Sequence, residues 1–117
     1  MLSKETASLI PAIRNYLSGQ PIVSAWLFGS CSRGDESAES DMDIMVTYDS
    51  NAGVSLFTIG KIISGLSEIV GKPVDLVEES GLMPFAAESA NRDKILIYER
   101  KNDLIPILEH YIEAFDQ

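Results

Sequence analysis

Apolar residues recur every third or fourth position in several parts of the chain, which is the spacing of an amphipathic helix. This pattern predicts helices over residues 3–18, 59–70 and 104–115, and residues 83–92 also favour a helix. Gly71 is expected to end the second of the three longer helices, because glycine readily adopts the left-handed conformation found there.

Four short apolar runs lie between the helical segments, and glycine, proline and polar residues bound them, which is typical of strands. They cover residues 22–28, 42–48, 73–78 and 95–99. Helices that alternate with strands in this way predict an α/β (α+β) fold, a small mixed β-sheet with helices packed on it. At 117 residues the chain is expected to form a single domain, 1–117. The pattern leaves the order of the strands open.

The charge balance of the chain is strongly acidic. It has 18 Asp and Glu residues against 9 Lys and Arg, a formal net charge of −9. This balance disfavours nucleic acid as a partner, because its backbone requires clustered basic residues. One cysteine and one histidine exclude a Cys/His zinc site. The sequence contains neither an apolar run of about 18 residues to span a membrane nor a signal peptide pattern, so we expect a cytoplasmic protein.

A polar segment separates the first two predicted strands. In WLFGSCSRGDESAESDMDIMV, residues 26–46, the apolar run stops at Gly29-Ser30 and resumes around Asp41-Met42-Asp43. Because side chains in a strand alternate between its faces, Asp41 and Asp43 are expected to point the same way. Two carboxylates at a strand end suit magnesium, which prefers oxygen ligands together with substrate phosphates. Two such ions would contact both the attacking and the leaving oxygen of a phosphoryl-type transfer.

A third aspartate, Asp75, lies between Val74 and Leu76 in the third predicted strand and should face away from both. If this strand neighbours the second, Asp75 joins the first two aspartates. It would then act as a further metal ligand or accept the proton of an attacking hydroxyl. The alternative is an acid on the solvent side of an edge strand.

The polar segment also contains groups that bind phosphate. Gly29 lets the backbone approach a phosphate closely, and Ser30 offers a hydroxyl beside the N–H groups of a turn. Arg33 is the only cation in residues 29–43 and suits bidentate contact with phosphate oxygens. The neighbouring acids are interpreted as a solvated loop face: Asp35, Glu36 and Glu39.

Taken together, these residues resemble a known signature. Gly29-Ser30, ten further residues and Asp41-x-Asp43, with Arg33-Gly34 between them, are similar to the motif of the nucleotidyltransferase superfamily that includes DNA polymerase β. The short chain is most similar to the minimal nucleotidyltransferases, or MNT proteins. Members of that group are often antitoxins paired with a HEPN-domain toxin.

The resemblance implies both a reaction and the residues that carry it. The metal ligands and catalytic residues would be Asp41, Asp43 and Asp75, and the nucleotide-binding residues would be Gly29, Ser30 and Arg33. The reaction would be magnesium-dependent transfer of AMP from ATP to a hydroxyl. Because the chain has little left over for an acceptor pocket, we expect the acceptor on a second protein. The resemblance indicates a tyrosine of a HEPN toxin encoded by a neighbouring gene.

Two other functions stay open at this point. A catalytically silent antitoxin would neutralise its partner by complex formation alone, with the site vestigial. A small-molecule nucleotidyltransferase would modify a free ligand, although that class usually needs a second domain to hold its acceptor. A homo-oligomer is also allowed, since Ile105 and Ile107 broaden the apolar side of the last predicted helix.

Overall fold

The computed structural model describes residues 2–37, 39–79 and 93–100. In chain order the elements are α1 (Lys4–Leu17), β1 (Ile22–Phe28), α2 (Ser30–Arg33), β2 (Met42–Tyr48), α3 (Leu56–Val70), β3 (Val74–Glu78) and β4 (Ile95–Glu99). The four predicted strands are confirmed, and β3 starts one residue later than expected because Pro73 precedes it. The predicted helices over residues 83–92 and 104–115 lie outside the described residues.

Both long helices begin at a serine cap, and α3 ends at the predicted glycine. Ser3 begins α1, and its hydroxyl accepts the N–H of Thr6 at 3.1 Å. Ser55 caps α3 in the same way, so this helix begins before the apolar stripe that predicted it. Gly71 ends α3 with a φ of 73°, as its sequence position indicates. Among the described helices, none is both long enough and apolar enough to cross a membrane.

The strands form one mixed sheet in the order β3-β2-β1-β4. β1 lies antiparallel to both of its neighbours, β2 and β4, whereas β2 and β3 run parallel. The C-terminal end of β1 therefore meets the N-terminal ends of β2 and β3 at one edge of the sheet. This arrangement confirms the predicted mixed sheet and supplies the strand order that the sequence pattern left open.

Helices α1 and α3 pack together on one face of the sheet. The closest approach is at Gly65, where the ring of Tyr16 occupies the space that a side chain would fill. The Tyr16 hydroxyl also donates to the Lys61 carbonyl at 3.3 Å. The core between helices and sheet is built from buried aliphatic residues, chiefly Ile13, Leu17, Ile22, Leu27, Met42, Ile44, Val46, Ile62, Leu66 and Ile97. In β2 this burial places Met42 and Ile44 on the helix side and Asp43 on the opposite side.

Candidate active site

Three acidic residues lie along the edge where β1 ends and β2 and β3 begin. Asp43 pairs with Phe28 across the β1–β2 ladder and with Asp75 across the parallel β2–β3 ladder. Because neighbouring strands are about 4.8 Å apart and paired side chains share a face, Asp43 and Asp75 are adjacent. Asp41 precedes β2 by one residue and is exposed. We call Asp41, Asp43 and Asp75 the carboxylate edge.

The backbone turns sharply at Gly29, between β1 and α2. Gly29 has a φ of 71° and a ψ of −155°, a combination that essentially only glycine adopts. A Cβ atom at this position would lie 3.2 Å from Asp43 Cγ and would overlap Oδ2. The absence of a side chain therefore lets the backbone lie directly against the Asp43 carboxylate. Ser30, the next residue, begins α2.

Residues 29–43, which we call the site loop, are joined internally at both ends. The Ser32 hydroxyl donates to the Gly29 carbonyl at 2.7 Å. The Cys31 thiol donates to the Asp41 carbonyl at 3.8 Å and is buried in the core. Cys31 is therefore a packing residue beneath the loop. Burial raises the pKa of this thiol, so it is a weak nucleophile.

The environment of Asp43 disfavours its charged form. Burial raises the pKa of this carboxyl, and the charges of Asp75 and Asp41 raise it further, while Arg33 acts in the opposite direction. Asp43 is half-buried between the other two acids and the Gly29 backbone. A group of like charges with this effect on pKa attracts cations to the carboxylate edge.

The side chain of Arg33 is already engaged by acids. Its Nη1 donates to Asp93 at 3.0 Å and its Nε donates to Asp35 at 3.2 Å. The hydrogen bonds to Asp35 and then Asp93 raise the pKa of Arg33. To bind a phosphate, the guanidinium would exchange these carboxylates for phosphate oxygens. No local pattern indicates Asp93 as its partner, because that residue lies 60 positions further along the chain.

The comparison with known sequences decides the family. Residues 12–103 match the family described as Polymerase beta, Nucleotidyltransferase, and this segment contains all four strands and the whole carboxylate edge. The chain belongs to this nucleotidyltransferase family. A relative from Methanocaldococcus jannaschii, provisionally named protein adenylyltransferase MJ1379, is 36% identical over 77 residues, which are 65% of this chain and 77% of the relative.

Solved structures share the fold of this nucleotidyltransferase. One, provisionally described as a minimal nucleotidyltransferase, matches with a TM-score of 0.68 and 27% identity over 81% of this chain and 95% of its own. A complex of tri-AMPylated Shewanella oneidensis HEPN toxin with MNT antitoxin contains a chain that matches with a TM-score of 0.61 and 16% identity, over 95% of this chain and 87% of that chain. At that identity the second likeness shows the fold alone. The predicted fold, family and enzyme class are therefore confirmed.

The residues of the carboxylate edge fit a divalent cation. In the parts of the chain that the structure describes, no three acidic, histidine or cysteine side chains are grouped so that they could hold a metal ion by themselves. Magnesium typically takes one or two carboxylates and completes its shell with water and substrate phosphates. Asp43 and the adjacent Asp75 supply such a pair. A bound cation would offset the repulsion that raises the pKa of Asp43.

The prediction that Glu36 belongs to a solvated loop face is wrong. Its carboxylate accepts hydrogen bonds from the hydroxyls of Ser3 and Thr6, the latter at 2.9 Å. Two hydroxyls three positions apart at the start of a helix are the sequence signal that would have pointed to such a partner. The other two acids of this group, Asp35 and Glu39, are exposed as predicted.

Proposed function

We propose that this nucleotidyltransferase uses magnesium to transfer AMP from ATP to a tyrosine hydroxyl of a HEPN-domain protein, and that it acts as an antitoxin in this way. The observation that carries the proposal is the pairing of Asp43 with Asp75 across adjacent strands, with the Gly29 backbone packed against Asp43. Carboxylates beside a backbone turn that can approach a phosphate support a site for a metal ion and a triphosphate.

Each residue of the site has a role in this proposal. The backbone of Gly29 and the hydroxyl of Ser30 hold triphosphate oxygens, and Arg33 steadies the triphosphate once it leaves its acidic partners. Asp43 and its neighbours Asp41 and Asp75 hold the cation at the edge of the sheet. When bound, two magnesium ions would neutralise the negative charge that develops on the triphosphate.

Asp75 takes the proton in the proposed transfer. The tyrosine oxygen forms a bond to the α-phosphorus of ATP, the bond from this phosphorus to the bridging oxygen breaks, and pyrophosphate leaves. The hydroxyl proton passes to the Asp75 carboxylate, which is exposed and adjacent to Asp43. An exposed base at the open edge of the sheet suits an acceptor that arrives on another protein.

The identity of the acceptor and of the nucleotide rests on similar proteins. The M. jannaschii relative is provisionally named a protein adenylyltransferase. The structures that share this fold include a toxin–antitoxin complex with AMP-PNP and the tri-AMPylated HEPN toxin complex. These names support ATP as the donor and a HEPN-domain protein as the partner. A gene next to the one for this chain is the first place to look for that partner.

The intact mass of the HEPN-domain partner tests this function. The partner is incubated with the chain, ATP and magnesium, in parallel with the Asp41→Asn, Asp43→Asn double variant. We expect the partner to gain one or more AMP units with the native chain and none with the double variant. Substitution of each partner tyrosine by phenylalanine then locates the acceptor.

Two further results would contradict the proposal in different ways. If the partner gains no mass but a stable complex forms with both chains, the protein is a binding antitoxin. If AMP appears only on a small molecule added to the reaction, it is a small-molecule nucleotidyltransferase.

Glu39→Gln is the matched control for the Asp41→Asn, Asp43→Asn variant, because it removes one exposed loop charge without changing the carboxylate edge.

A further inference from the structure

The middle of the site loop is attached to the start of α1 through one side chain. Glu36 Oε1 accepts hydrogen bonds from Ser3, which caps α1, and from Thr6, in its first turn. Thr6 is 2% exposed, and Ser32, which fastens the start of the loop, is the other buried polar residue among those described. Hydrogen bonds to a charged acceptor are stronger than neutral ones, so this contact is an effective attachment.

The surroundings of Glu36 favour its charged form. Hydrogen bonds from Ser3, from its own backbone N–H and from Thr6 lower the pKa of Glu36, and the charge of Lys72 lowers it further. Its second oxygen, Oε2, is shut off from solvent and has no hydrogen-bond partner among the other described residues. Glu36 and Lys72 line a cleft of about 290 Å³ where the loop, the start of α1 and the end of α3 meet. None of the three aspartates lines this cleft.

The other described hydrogen bonds within the site loop, including those between Ser37 and Ser40 in its middle, join loop residues to one another and do not reach α1 or α3. Ser32 is bonded to Gly29, and Cys31 is bonded to Asp41. Without Glu36, the residues between these points would have no described attachment to a helix of the core. The Glu36 contact is thus placed to fix how the two ends of the loop, at Gly29 and at Asp41, are held relative to each other.

We propose that Glu36 is a positioning residue, which holds the site loop against α1 so that its two ends stay in the geometry that binds a magnesium–nucleoside triphosphate complex. The choice of ligand rests on the proposed function, whereas the holding of the loop does not. Glu36 acts through the backbone of Gly29 and Ser30 and touches no reacting atom.

The lone cysteine of the chain reports on the loop without any nucleotide. Cys31 is fully buried in the site loop, so a neutral maleimide reaches its thiol only when the loop opens. Loss of the attachment in Glu36→Ala should speed labelling by about tenfold or more. Thr6→Val removes one donor without changing any charge and should give a smaller increase.

Glu36 can affect the labelling rate in two ways, through its charge near the Cys31 thiol and through its hydrogen bonds to α1, and the experiment must separate them. The Glu36 charge itself raises the pKa of the Cys31 thiol, so its removal would speed labelling chemically. Glu36→Gln is the matched control, since it loses the charge but keeps an oxygen that accepts from Ser3 and Thr6. It should label slightly faster than the native chain, through the lost charge alone, and much more slowly than Glu36→Ala. Ile62→Val, a core change in α3, controls for general loss of stability.

The second measurement is the affinity for α,β-methylene-ATP with magnesium, by calorimetry. We expect Glu36→Ala to bind about tenfold more weakly and Glu36→Gln to bind almost normally. In the transfer reaction the KM for ATP should rise while kcat changes little, because the chemistry is unaltered once the nucleotide is bound. A general structural defect would instead appear in Ile62→Val as well.

The outcomes separate this proposal from the proposed function. If Glu36→Ala labels no faster than Glu36→Gln, and Thr6→Val labels no faster than the native chain, Glu36 does not hold the loop and the proposal is wrong. If labelling speeds up but nucleotide affinity is unchanged, the loop is held without positioning anything for the ligand, which also overturns it. If the native chain itself binds no magnesium–nucleotide, the proposed function fails, and labelling alone decides whether Glu36 holds the loop.

Discussion

At the scale of single residues, Gly29 shows how closely the site loop approaches the sheet. Its backbone conformation costs about 1–3 kcal/mol for any residue with a Cβ atom. Its missing side chain also leaves the space in which the Asp43 carboxylate lies. The sequence indicates Gly29 for phosphate binding, and the structure adds a second requirement, contact with a carboxylate.

Gly29→Ala should therefore impair the site more than it impairs the fold. The added carbon would overlap Asp43 Oδ2 and displace this carboxylate, so magnesium–nucleotide affinity should fall by about tenfold or more. Gly53→Ala is the matched control, since Gly53 also has a positive φ, 63°, but no atom within 4 Å of the new carbon. Calorimetry on both variants makes the comparison. Equal loss of affinity in the two would show that backbone strain alone is responsible.

Asp43 has a consequence for stability as well as for binding. Because its pKa is raised in the folded state, folding takes up a proton between the ordinary carboxyl pKa and the raised one. Stability is thus lost as the pH rises through this window and stays lost above it. Asp43→Asn should melt a few degrees higher than the native chain at pH 7 without magnesium, with the difference vanishing below the ordinary pKa.

Magnesium should make the native chain melt at a higher temperature than Asp43→Asn. It stabilises the native chain by binding to the folded state, and the Asn variant should gain little from it. Thermal melts at several pH values, with and without magnesium, measure both effects. An Asn variant that is less stable than the native chain at pH 7 without magnesium would mean that hydrogen bonds to Asp43 outweigh the burial and repulsion that raise its pKa.

At the scale of elements, α3 contains two glycines with different surroundings, and of these Gly65 lies at the contact with α1. An added carbon at Gly65 would come 2.9 Å from Tyr16 Cε1 and still closer to Cζ and the hydroxyl oxygen. At Gly60 the same carbon would meet nothing within 4 Å. Alanine is the better helix former by about 1 kcal/mol, so packing decides the sign at each position.

We expect Gly60→Ala to stabilise the protein by about 0.5–1 kcal/mol and Gly65→Ala to destabilise it by about 1–3 kcal/mol. Urea unfolding of both variants measures these free energies. Most of the loss at Gly65 should disappear in a Tyr16→Ala background, because the clash is then gone. Equal effects at the two glycines would show that α1 and α3 are not in close contact in solution.

The helices and strands could be predicted because the spacing of apolar residues within each element shows which of its faces is buried. The alternation in β2 and the stripe in α3 place Ile44 and Leu66 in the core, where the structure has them. Contacts between distant segments produce no such pattern within either segment. The adjacency of Asp43 and Asp75 depended on an unknown strand order, and the partners of Arg33 and Glu36 lie 60 and 33 positions away. The sequence therefore predicted candidate site residues but not the distant partners of Arg33 and Glu36.

At the scale of the whole molecule, a net charge of −9 opposes folding through self-repulsion. Among the described residues, ion pairs such as Arg33–Asp93 and Arg100–Asp49, at 3.0 and 2.7 Å, act in the other direction. Pairs that are partly exposed contribute about 0–1 kcal/mol each. We therefore expect repulsion to outweigh them.

Salt should accordingly stabilise the protein. An increase in potassium chloride from 0.01 to 0.15 M shortens the Debye length from about 30 to about 8 Å, and the melting temperature should rise by about 2–5 °C. Calorimetric melts in metal-free buffer measure the change, with sucrose as a control for effects that do not depend on charge. A fall in melting temperature would assign the larger effect to the ion pairs.

The strand order also determines when each side of β1 can find its partner strand during synthesis on the ribosome. β1 lies inside the sheet, yet its partner on one side, β4, is residues 95–99 and is made much later than β1. Its other side can pair with β2 much sooner. During translation at about 5–20 residues per second, the unpaired side of β1 is open for several seconds, during which it can join another nascent chain. Synthesis of β4 therefore covers the open side of β1 and ends this exposure.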